Sequence, residues 1–577
     1  MGAAGGHRPP LQCKREWASV LAGSLITTGP STNQDEGRDP AARPIRWALA
    51  LAVGVFLIVG GWLLLRSLDA NQGHFVYPLD DAYIHMAIAK HWVCDGIFGI
   101  TKYEFTPATS SPLWIVLLTA VFRVGGVQEL ALLVINLLCA LGLLVLCAAL
   151  LRRHLSSEPV IAVGLLGVIF LMPLLPALFS GMEHIFHTAL VLALCYVAAR
   201  LLAAPAAVAT RRRDFALLWS LGFLATATRF ETLFVVAVAG GCLLLRRRWL
   251  AALGLIACAV LPVLLMGFYS VQHGGYWLPN SLMTKGEFPK FDSALNILLA
   301  LGGRSLAKLV TADWHLLGLA VLVVVLLLIR WQRSRTLAVL DWMGLLFLPV
   351  LLLHCQFART GWFYRYEAYL VTFGLLVALL LGAGLWSAGT RRQAILLLLL
   401  TALCLCPGLI RASIAFRQTV PAMQNVYHQQ IQMMRFLKTF YDRETVVIND
   451  VGAATFFTDV RCLDTGGLIN TEIVRLMHSR QWTPERLREL VTARQARIAI
   501  VYPERLPGPM PDWIPLATWR IANNAICAYD TVYVCALNPA EVPRLRTALR
   551  LFAIEQRVPV REKLAADVLD AAPKVAR

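Results

Sequence analysis

Two adjacent carboxylates, Asp80 and Asp81, follow the first long apolar segment of the sequence. Charged side chains are costly within lipid, so two acids beside a membrane span indicate a functional site at the aqueous mouth of the membrane. There, a carboxylate can take the proton of an acceptor hydroxyl. Adjacent carboxylates also repel each other, which raises the pKa of one of them, and the pair can hold a divalent cation through its oxygens.

The same two acids have a plainer interpretation. A helix is predicted from Ala82 to Trp92, and acids at the start of a helix stabilise it as a cap and through its dipole. His85 lies one turn beyond Asp81, so it either faces the same pocket as the acids or is exposed at the interface. No Cys-x-x-Cys pair occurs among the 13 cysteines, which argues against a zinc site. The cofactor that the sequence allows is a divalent cation bound by Asp80 and Asp81.

Cationic side chains recur in short polar segments between the apolar runs. They are Lys285 in LPNSLMTK, Arg229 in TRFE, and Arg359 and Arg365 in ARTGWFYRYE. Arginine binds phosphate through paired hydrogen bonds, so these residues are predicted to clamp a lipid-linked phosphate. The alternative is that they only extend toward lipid headgroups.

Polar side chains in the same segments complete the predicted site. Glu183 in SGMEH and Glu231 in TRFE either pair with the cations or contact the substrate. The substrate-binding residues are therefore predicted to be His85, Glu183, Glu231, Asn280 and Tyr364.

The composition is that of a membrane protein. Of the 577 residues, 58% are hydrophobic, and the mean hydropathy is +0.63, well above the values of soluble proteins. Many apolar runs approach or exceed the length that crosses a bilayer. The net charge is +18, but much of the Lys and Arg stands in short clusters between apolar runs, as cytoplasmic loops require. The charge is therefore not interpreted as a nucleic-acid site.

The fold class predicted is a polytopic α-helical membrane protein with about eleven spans. The predicted spans are 47–65, 129–151, 159–179, 184–203, 215–229, 231–245, 249–268, 313–329, 337–357, 367–387 and 393–411. The segment 112–124 is too short to cross and is predicted to lie on the outer surface as a juxtamembrane helix. With this arrangement every basic cluster falls on the cytoplasmic side, and the chain after 411 falls outside.

Three domains follow from this topology. Residues 1–44 are polar and rich in Gly, Pro and Arg, and are predicted to form a disordered cytoplasmic tail. Residues 45–411 are predicted to form the membrane domain, with its first external loop at 66–128. Residues 412–577 are predicted to form an extracytoplasmic soluble α/β domain, because strands alternate with helices there.

Within this last domain, the apolar runs TVVIND (445–450) and ARIAIVYPE (496–504) predict buried strands. Helices are predicted near 421–441, 470–478, 484–494 and 541–557. The stretch 526–537 predicts a hairpin with a turn near Asp530, which would set Cys527 across from Cys535. Either a disulfide or two packed thiols fits that pair. The sequence leaves open whether the domain binds an acceptor or only braces the fold.

The order of the short motifs DDAYI, TSSPLW, SGME, TRFE, LPNSLMTK and RYE resembles the GT-C class of integral membrane glycosyltransferases. Within that class it resembles the bacterial enzymes that use polyprenyl-phosphate sugars, such as the terminal arabinofuranosyltransferase of the mycobacterial cell wall. The later NDVGAATFFTD and LDTGGL segments are similar to the external domain of many such enzymes. The chain has TRFE where the family has TRPE, and MTK where the family ends in Tyr-Ala-Lys, which leaves the donor sugar open.

The resemblance implies an inverting sugar transfer from a polyprenyl-phosphate carrier to a cell-envelope glycan, lipid or protein outside the cytoplasmic membrane. It implies that one acid of the pair is the general base, by position Asp80, with Asp81 orienting the site. It also implies that Lys285 and nearby arginines hold the departing phosphate.

The alternative function is a transporter or flippase of lipid-linked sugars. A transporter is expected to have matched halves and charges near the middle of the bilayer. Here the unusual charges gather at one interface and a soluble domain is appended, which favours catalysis. A non-catalytic scaffold would leave the acidic pair unexplained.

Overall fold

The computed structural model describes residues 46–205, 211–285, 293–386 and 390–555. Contacts divide the chain into two units, Met1–Arg46 and Trp47–Arg577. Only Arg46 of the first unit is described, so the predicted disordered tail at 1–44 lies outside the described residues. All elements below belong to the second unit.

Helices account for most of the described chain up to residue 440. The first ten are α1 (Ala48–Ala70), α2 (Asp80–Cys94), α3 (Pro112–Gly125), α4 (Ala131–His154), α5 (Glu158–Leu171), α6 (Leu174–Phe179), α7 (His184–Ala203), α8 (Arg212–Thr228), α9 (Thr232–Leu245) and α10 (Trp249–Gln272). The next are α11 (Asn280–Lys285), α12 (Ala294–Leu298), a π-helical turn at Leu299–Gly303, α13 (Arg304–Thr311), α14 (Trp314–Ser334), α15 (Val339–Phe357), α16 (Ala368–Trp386), α17 (Arg391–Val426), a second π-helical turn at Tyr427–Ile431 and α18 (Gln432–Phe440).

Eight of the described helices are long and apolar enough to cross a bilayer, namely α1, α4, α7, α10, α14, α15, α16 and α17 with its continuation. This confirms the prediction of a polytopic α-helical membrane protein. The other three predicted spans, 159–179, 215–229 and 231–245, fall on shorter helices, namely α5 (14 residues) with α6 (6 residues), α8 (17 residues) and α9 (14 residues). The first of these is divided near Pro173, which cannot continue the hydrogen bonding of α5.

The last membrane helix does not end where its apolar run ends. Helix α17, the π-helical turn and α18 form one helical stretch from Arg391 to Phe440, 50 residues long. The sequence predicted a span ending at 411 and a separate helix at 421–441. The helix continues between them although it contains Pro407 and Pro421. The predicted domain boundary near 412 therefore falls inside a continuous helix.

The segment 66–128, which was predicted to be the first external loop and keeps that name below, is built on two helices. Helix α2 begins with both acids of the DDAYI motif, and α3 begins with Pro112, which suits the first turn of a helix. One face of α3 is buried through Trp114, Leu118 and Phe122, while Val124 is exposed. This one-sided burial agrees with the predicted juxtamembrane helix.

The C-terminal region is a five-stranded mixed sheet covered on both faces. Its elements are β1 (Thr445–Ile448), α19 (Gly452–Phe457), β2 (Arg461–Asp464), α20 (Thr471–His478), α21 (Pro484–Ala493), β3 (Ile498–Val501), β4 (Ile514–Arg520), β5 (Thr531–Ala536) and α22 (Val542–Glu555). The strand order is β2-β1-β3-β5-β4, with β1 parallel to both neighbours and β5 antiparallel to both of its own. The α/β prediction for this region is confirmed.

Alternation along the strands produces two apolar cores. Val446 and Ile448 of β1 belong to a cluster that includes Phe436 of α18, whereas Val447 belongs to a cluster on the other face with Ile473 of α20. Successive side chains of a strand point to opposite faces, so a short all-apolar strand needs cover on both sides. The helices that were predicted at 470–478, 484–494 and 541–557 are present as α20, α21 and α22.

The predicted hairpin at 526–537 is wrong. Only Thr531–Ala536 is a strand, and its hairpin partner is Ile514–Arg520. The stretch before β5 is a turn because the side-chain oxygen of Asn524 accepts hydrogen bonds from the backbone N–H groups of Ile526 and Cys527. Cys527 and Cys535 are both free thiols.

Close helix crossings depend on small residues, as is typical of membrane helices. Helix α14 meets α17 at Gly318, where an added Cβ would lie 2.1 Å from the carbonyl oxygen of Cys404. Backbone cannot yield as a flexible side chain can. At Gly142 of α4, by contrast, an added Cβ meets nothing within 4 Å.

We expect Gly318→Ala to lower the thermal unfolding temperature in detergent, because forcing a methyl group into this crossing costs about 1–3 kcal/mol. Gly142→Ala is the matched control, and it should leave stability unchanged or raise it slightly, since alanine is the better helix former. Equal unfolding temperatures for the two variants would contradict the close approach of α14 and α17.

Candidate active site

A cavity of about 320 Å³ lies where the first external loop, the membrane helices and the C-terminal sheet region meet. Its wall includes seven of the predicted site residues: Asp81, His85, Glu183, Arg229, Glu231, Arg359 and Arg365. These residues come from four separate stretches of sequence, so the fold brings together side chains that the motifs only suggested were related. Apolar residues of α9, α10 and α15, among them Phe234, Val263 and Phe357, line the same cavity.

Asp81 and Arg365 form the ion pair that joins two sides of the cavity. A terminal nitrogen of Arg365 donates to Asp81, and the guanidinium lies 5.0 Å from the ring centre of Tyr366. Arg365 is only 2% exposed. Burial opposes its charge, but Tyr366 and Asp81 outweigh this and raise the pKa of Arg365. The guanidinium therefore stays charged in a partly apolar setting.

A second group of charges is organised by Arg229. Its guanidinium donates to both Glu183 and Glu231, and Glu183 also accepts a hydrogen bond of 2.8 Å from the hydroxyl of Ser111. Burial alone would raise the pKa of Glu183, but the adjacent Arg229 outweighs it and holds this pKa below its usual range. Glu183 is thus an ionised hydrogen-bond acceptor and not a proton donor.

His85 stands between the two groups. Its Nδ1 lies 3.8 Å from Glu183, and its Nε2 lies 3.4 Å from the hydroxyl of Thr109. Burial lowers the pKa of His85, so the ring is neutral near pH 7. A neutral imidazole offers one donor and one acceptor to a bound molecule.

Several buried polar atoms of the cavity wall have no hydrogen-bond partner in the part of the chain that the structure describes. They are His85 Nδ1, one oxygen each of Glu183 and Glu231, the hydroxyl of Ser281, and Nε and Nη1 of Arg365. Buried polar groups in proteins are almost always paired. Acceptors and donors left open around one cavity are suited to a polar ligand that carries both anionic oxygens and hydroxyl groups.

Asp80 lies elsewhere. Its two carboxylate oxygens accept hydrogen bonds from the backbone N–H groups of Gly452 and Ala453, at 2.6 and 2.8 Å, in the first turn of α19. An added Cβ at Gly452 would lie 2.1 Å from the backbone oxygen of Asp80. Asp80 thus fastens the C-terminal region to helix α2, and Asp81 is the member of the pair that lines the cavity.

Burial raises the pKa of Asp80 to about 7, with a further increase from the nearby carboxylate of Asp450, while its bonds to Gly452 and Ala453 act in the opposite direction. Burial also raises the pKa of Asp450, which accepts hydrogen bonds of 2.6 Å from Gln430 and Tyr502. Two carboxyl groups that both resist ionisation therefore meet at the contact between the loop and the sheet.

The other predicted residues hold loops in place. Asn280 is buried, and its amide donates to the carbonyl of Leu468 at 3.2 Å and approaches the Thr471 hydroxyl at 3.4 Å. Tyr364 donates its hydroxyl to Gln418. Neither residue is part of the cavity wall. Lys285 ends α11, and its side chain lies outside the described residues.

The acids do not fit a divalent cation. Both oxygens of Asp80 are engaged by amide groups, and Asp81 pairs with an arginine. Within the described residues, no group of three or more His, Cys, Asp or Glu side chains is arranged to hold a metal ion. A cation site needs several oxygen ligands directed at one point.

The loop that carries Arg365 has an unusual backbone. Gly361, Trp362, Phe363 and Tyr364 all have positive φ, between 42° and 79°. Non-glycine residues in this region cost about 1–2 kcal/mol each, so other contacts must hold the loop.

Those contacts come from Glu367, which is fully buried. Its carboxylate accepts a hydrogen bond of 2.8 Å from the backbone N–H of Gly361 and another from Arg411. Arg411 also donates to the carbonyl of Tyr364 at 3.2 Å. Sequence reasoning assigned no role to Glu367, Arg411, Ser111 or Tyr366, although RYE and TSSPLW contain three of them.

Comparison with known proteins gives limited matches. A family model described as a domain of unknown function, DUF8728, matches residues 423–535. No curated protein matches the chain. In structure the chain is similar to ArnT from Cupriavidus metallidurans, crystallised with undecaprenyl phosphate, with 13% sequence identity and a TM-score of 0.48. That similarity covers 85% of this chain and 98% of the other.

The raised pKa of Asp80 predicts a pH-dependent stability. Between its ordinary value of 3.8 and about 7, the folded chain keeps a proton that the unfolded chain has released. This contribution stabilises the fold at low pH and is lost as pH rises through about 7. We therefore expect the decline of the unfolding temperature from about pH 5 to about pH 8 to be smaller in Asp80→Asn than in wild type. The exposed control Asp69→Asn should keep the wild-type slope, and an equal slope in all three proteins would contradict the assignment.

Glu367→Gln should weaken the loop that carries Arg365. The substitution keeps the shape of the side chain but leaves the largely buried side chain of Arg411 without its counter-charge, and loss of one partner of a buried ion pair costs about 3–5 kcal/mol. We expect a lower unfolding temperature and faster limited proteolysis at this loop, since its support by Glu367 is lost. Glu489→Gln breaks an exposed ion pair with Arg486 and should change neither quantity. If Glu367→Gln behaved like wild type, the loop would keep its conformation without the contacts of Glu367.

Proposed function

We propose that this chain is an inverting glycosyltransferase of the GT-C class. It transfers a sugar from a polyprenyl-phosphate carrier to an acceptor at the extracytoplasmic face of the cytoplasmic membrane. The observation that carries the proposal is the pairing of Asp81 with the buried Arg365 in a cavity whose wall also includes apolar residues of membrane helices. The order of the DDAYI, TSSPLW, TRFE and RYE motifs supports the same class.

Arg365 is suited to the donor phosphate. Its Nη2 contacts Asp81, while Nε and Nη1 have no partner within the described protein, so each can donate a hydrogen bond to a phosphate oxygen. Arg359 is exposed at the edge of the same cavity and adds a second positive charge. Arg229 is already shared by two glutamates, so its proposed role is to orient them.

The isoprenoid tail requires an apolar path from the bilayer. Three different helices supply apolar side chains to the cavity, through Phe234 of α9, Val263 of α10 and Phe357 of α15. A chain lying among these helices would place its phosphate near Arg365, and its sugar near the open polar atoms of Glu183, Glu231 and Ser281. Ionised carboxylates accept hydrogen bonds from sugar hydroxyls, which fixes the anomeric carbon.

Asp81 is the proposed general base. It takes the proton of the acceptor hydroxyl as the oxygen attacks the anomeric carbon, and the bond from that carbon to the phosphate oxygen breaks on the opposite face. The phosphate leaves with its electron pair and is stabilised by Arg365. Because one guanidinium contacts both the base and the leaving group, it sets the spacing between them. This assigns to Asp81 the role that the resemblance gave by position to Asp80.

The decisive experiment compares wild type with Asp81→Asn, Asp80→Asn and the exposed control Asp69→Asn in liposomes. Each receives a panel of radiolabelled polyprenyl-phosphate sugars and an extract of envelope acceptors. We expect Asp81→Asn to reduce transfer by about 10²–10⁴-fold because the proton acceptor is lost, and donor binding is measured separately because the substitution also removes the counter-charge of Arg365. Asp80→Asn should keep more activity, and Asp69→Asn should match wild type.

Other outcomes would change the proposal. Loss of transfer in Asp80→Asn with activity retained in Asp81→Asn would return the base to Asp80. Label that crosses the bilayer without forming a new covalent product would favour the transporter, for which the bound lipid is cargo.

A further inference from the structure

We infer that the loop between β2 and α20, residues 465–470, forms the outer wall of the substrate cavity and selects the acceptor. Leu468 of this loop lines the cavity together with Asp81 and Arg365. Among the described lining residues, it is the one supplied by the C-terminal sheet region. The inference rests on the proposed transferase function and assigns to that region a part in substrate recognition.

The loop is rigid before any ligand arrives. The buried carboxylate of Asp464 accepts hydrogen bonds from the backbone N–H groups of Gly466, Leu468 and Ile469, at 2.7, 2.6 and 3.1 Å. Gly467 adopts φ +74°, which a side chain would disfavour. Three bonds to one carboxylate fix the path of the backbone, so the side chain of Leu468 is held at a set position. Sites that discriminate between substrates need this kind of support.

The loop is also fastened to the membrane part at two points. The amide of Asn280 donates to the carbonyl of Leu468 at 3.2 Å, and the amide of Asn470 donates to Glu104 at 2.8 Å. Asn280 belongs to the LPNSLMTK segment, and Glu104 belongs to the first external loop. The loop is thus bonded to both segments that flank the cavity. A domain that only braced the fold would not need to place a side chain in the cavity wall.

Its place in the sheet agrees with a binding role. Strands β1, β2 and β3 run parallel, and the loop follows the carboxyl end of β2. In α/β sheets ligands bind outside the carboxyl ends of the strands.

Geometry assigns this wall to the acceptor. The proposed path of the donor's tail runs among the helices that carry Phe234 and Val263. The sheet region lies outside those helices, so we assign its side of the cavity to the molecule that carries the attacking hydroxyl. Leu468 therefore meets the molecule that brings the attacking hydroxyl, and its size sets which molecules fit.

The test measures steady-state transfer by full-length Leu468→Ala and Leu468→Trp, varying donor and acceptor separately. We expect Leu468→Ala to raise the acceptor KM about tenfold, the usual effect of removing apolar contacts from a pocket, with the donor KM unchanged. Leu468→Trp should reduce use of the largest acceptors most. Leu551→Ala, an exposed leucine on α22, is the matched control and should leave both KM values unchanged.

A second variant tests whether the position of Leu468 matters, and not only the contact that its side chain makes. Asp464→Asn frees the loop without altering Leu468, and it should raise the acceptor KM while the donor KM stays constant. Equal changes in both KM values, or an unchanged acceptor KM in Leu468→Ala, would overturn the inference while leaving the transferase proposal intact. A wild-type protein that transfers no sugar from any donor would instead overturn the transferase proposal, and the inference with it.

Discussion

The ion pair between Asp81 and the buried Arg365 is the interaction on which the candidate site depends. Asp81 lies in the first external loop, and Arg365 lies 284 residues later, in the loop between α15 and α16. A charged arginine that is 2% exposed requires compensation, so the loops that carry the pair cannot separate without leaving a charge buried alone. The left-handed turn at 361–364 and its support by Glu367 are the structural cost of bringing Arg365 to this position.

Much of this arrangement was accessible from sequence. Long apolar runs identified the membrane helices, and charged residues beside them identified seven side chains of one cavity, because charges near lipid seldom lack a function. Which of Asp80 and Asp81 lines the cavity was not accessible from the sequence. Neighbouring helical residues point about 100° apart. Which one faces the cavity is decided by α19, whose amides contact Asp80 from 372 residues away.

The remaining differences have similar causes. The hairpin was misplaced because the strand pattern before Thr531 is interrupted by side-chain hydrogen bonds of Asn524, which hydrophobic periodicity does not reveal. The helix that contains the last predicted span does not end at 411, because α17 continues after its apolar side chains give way to polar ones. Apolar runs report where lipid ends, and they carry no information on where a helix ends.

The continuous helix from Arg391 to Phe440 fixes how the C-terminal sheet is rotated relative to the membrane helices. At 1.5 Å per residue it extends about 75 Å, more than twice the hydrocarbon thickness. Each residue inserted into such a rod would turn everything beyond it by about 100°, and would carry the sheet away from the loops it contacts. The π-helical turn at Tyr427–Ile431 is the form in which a helix absorbs one extra residue locally. Length variation in this chain is therefore expected at loops, whereas the rod tolerates change only in whole turns or at that bulge.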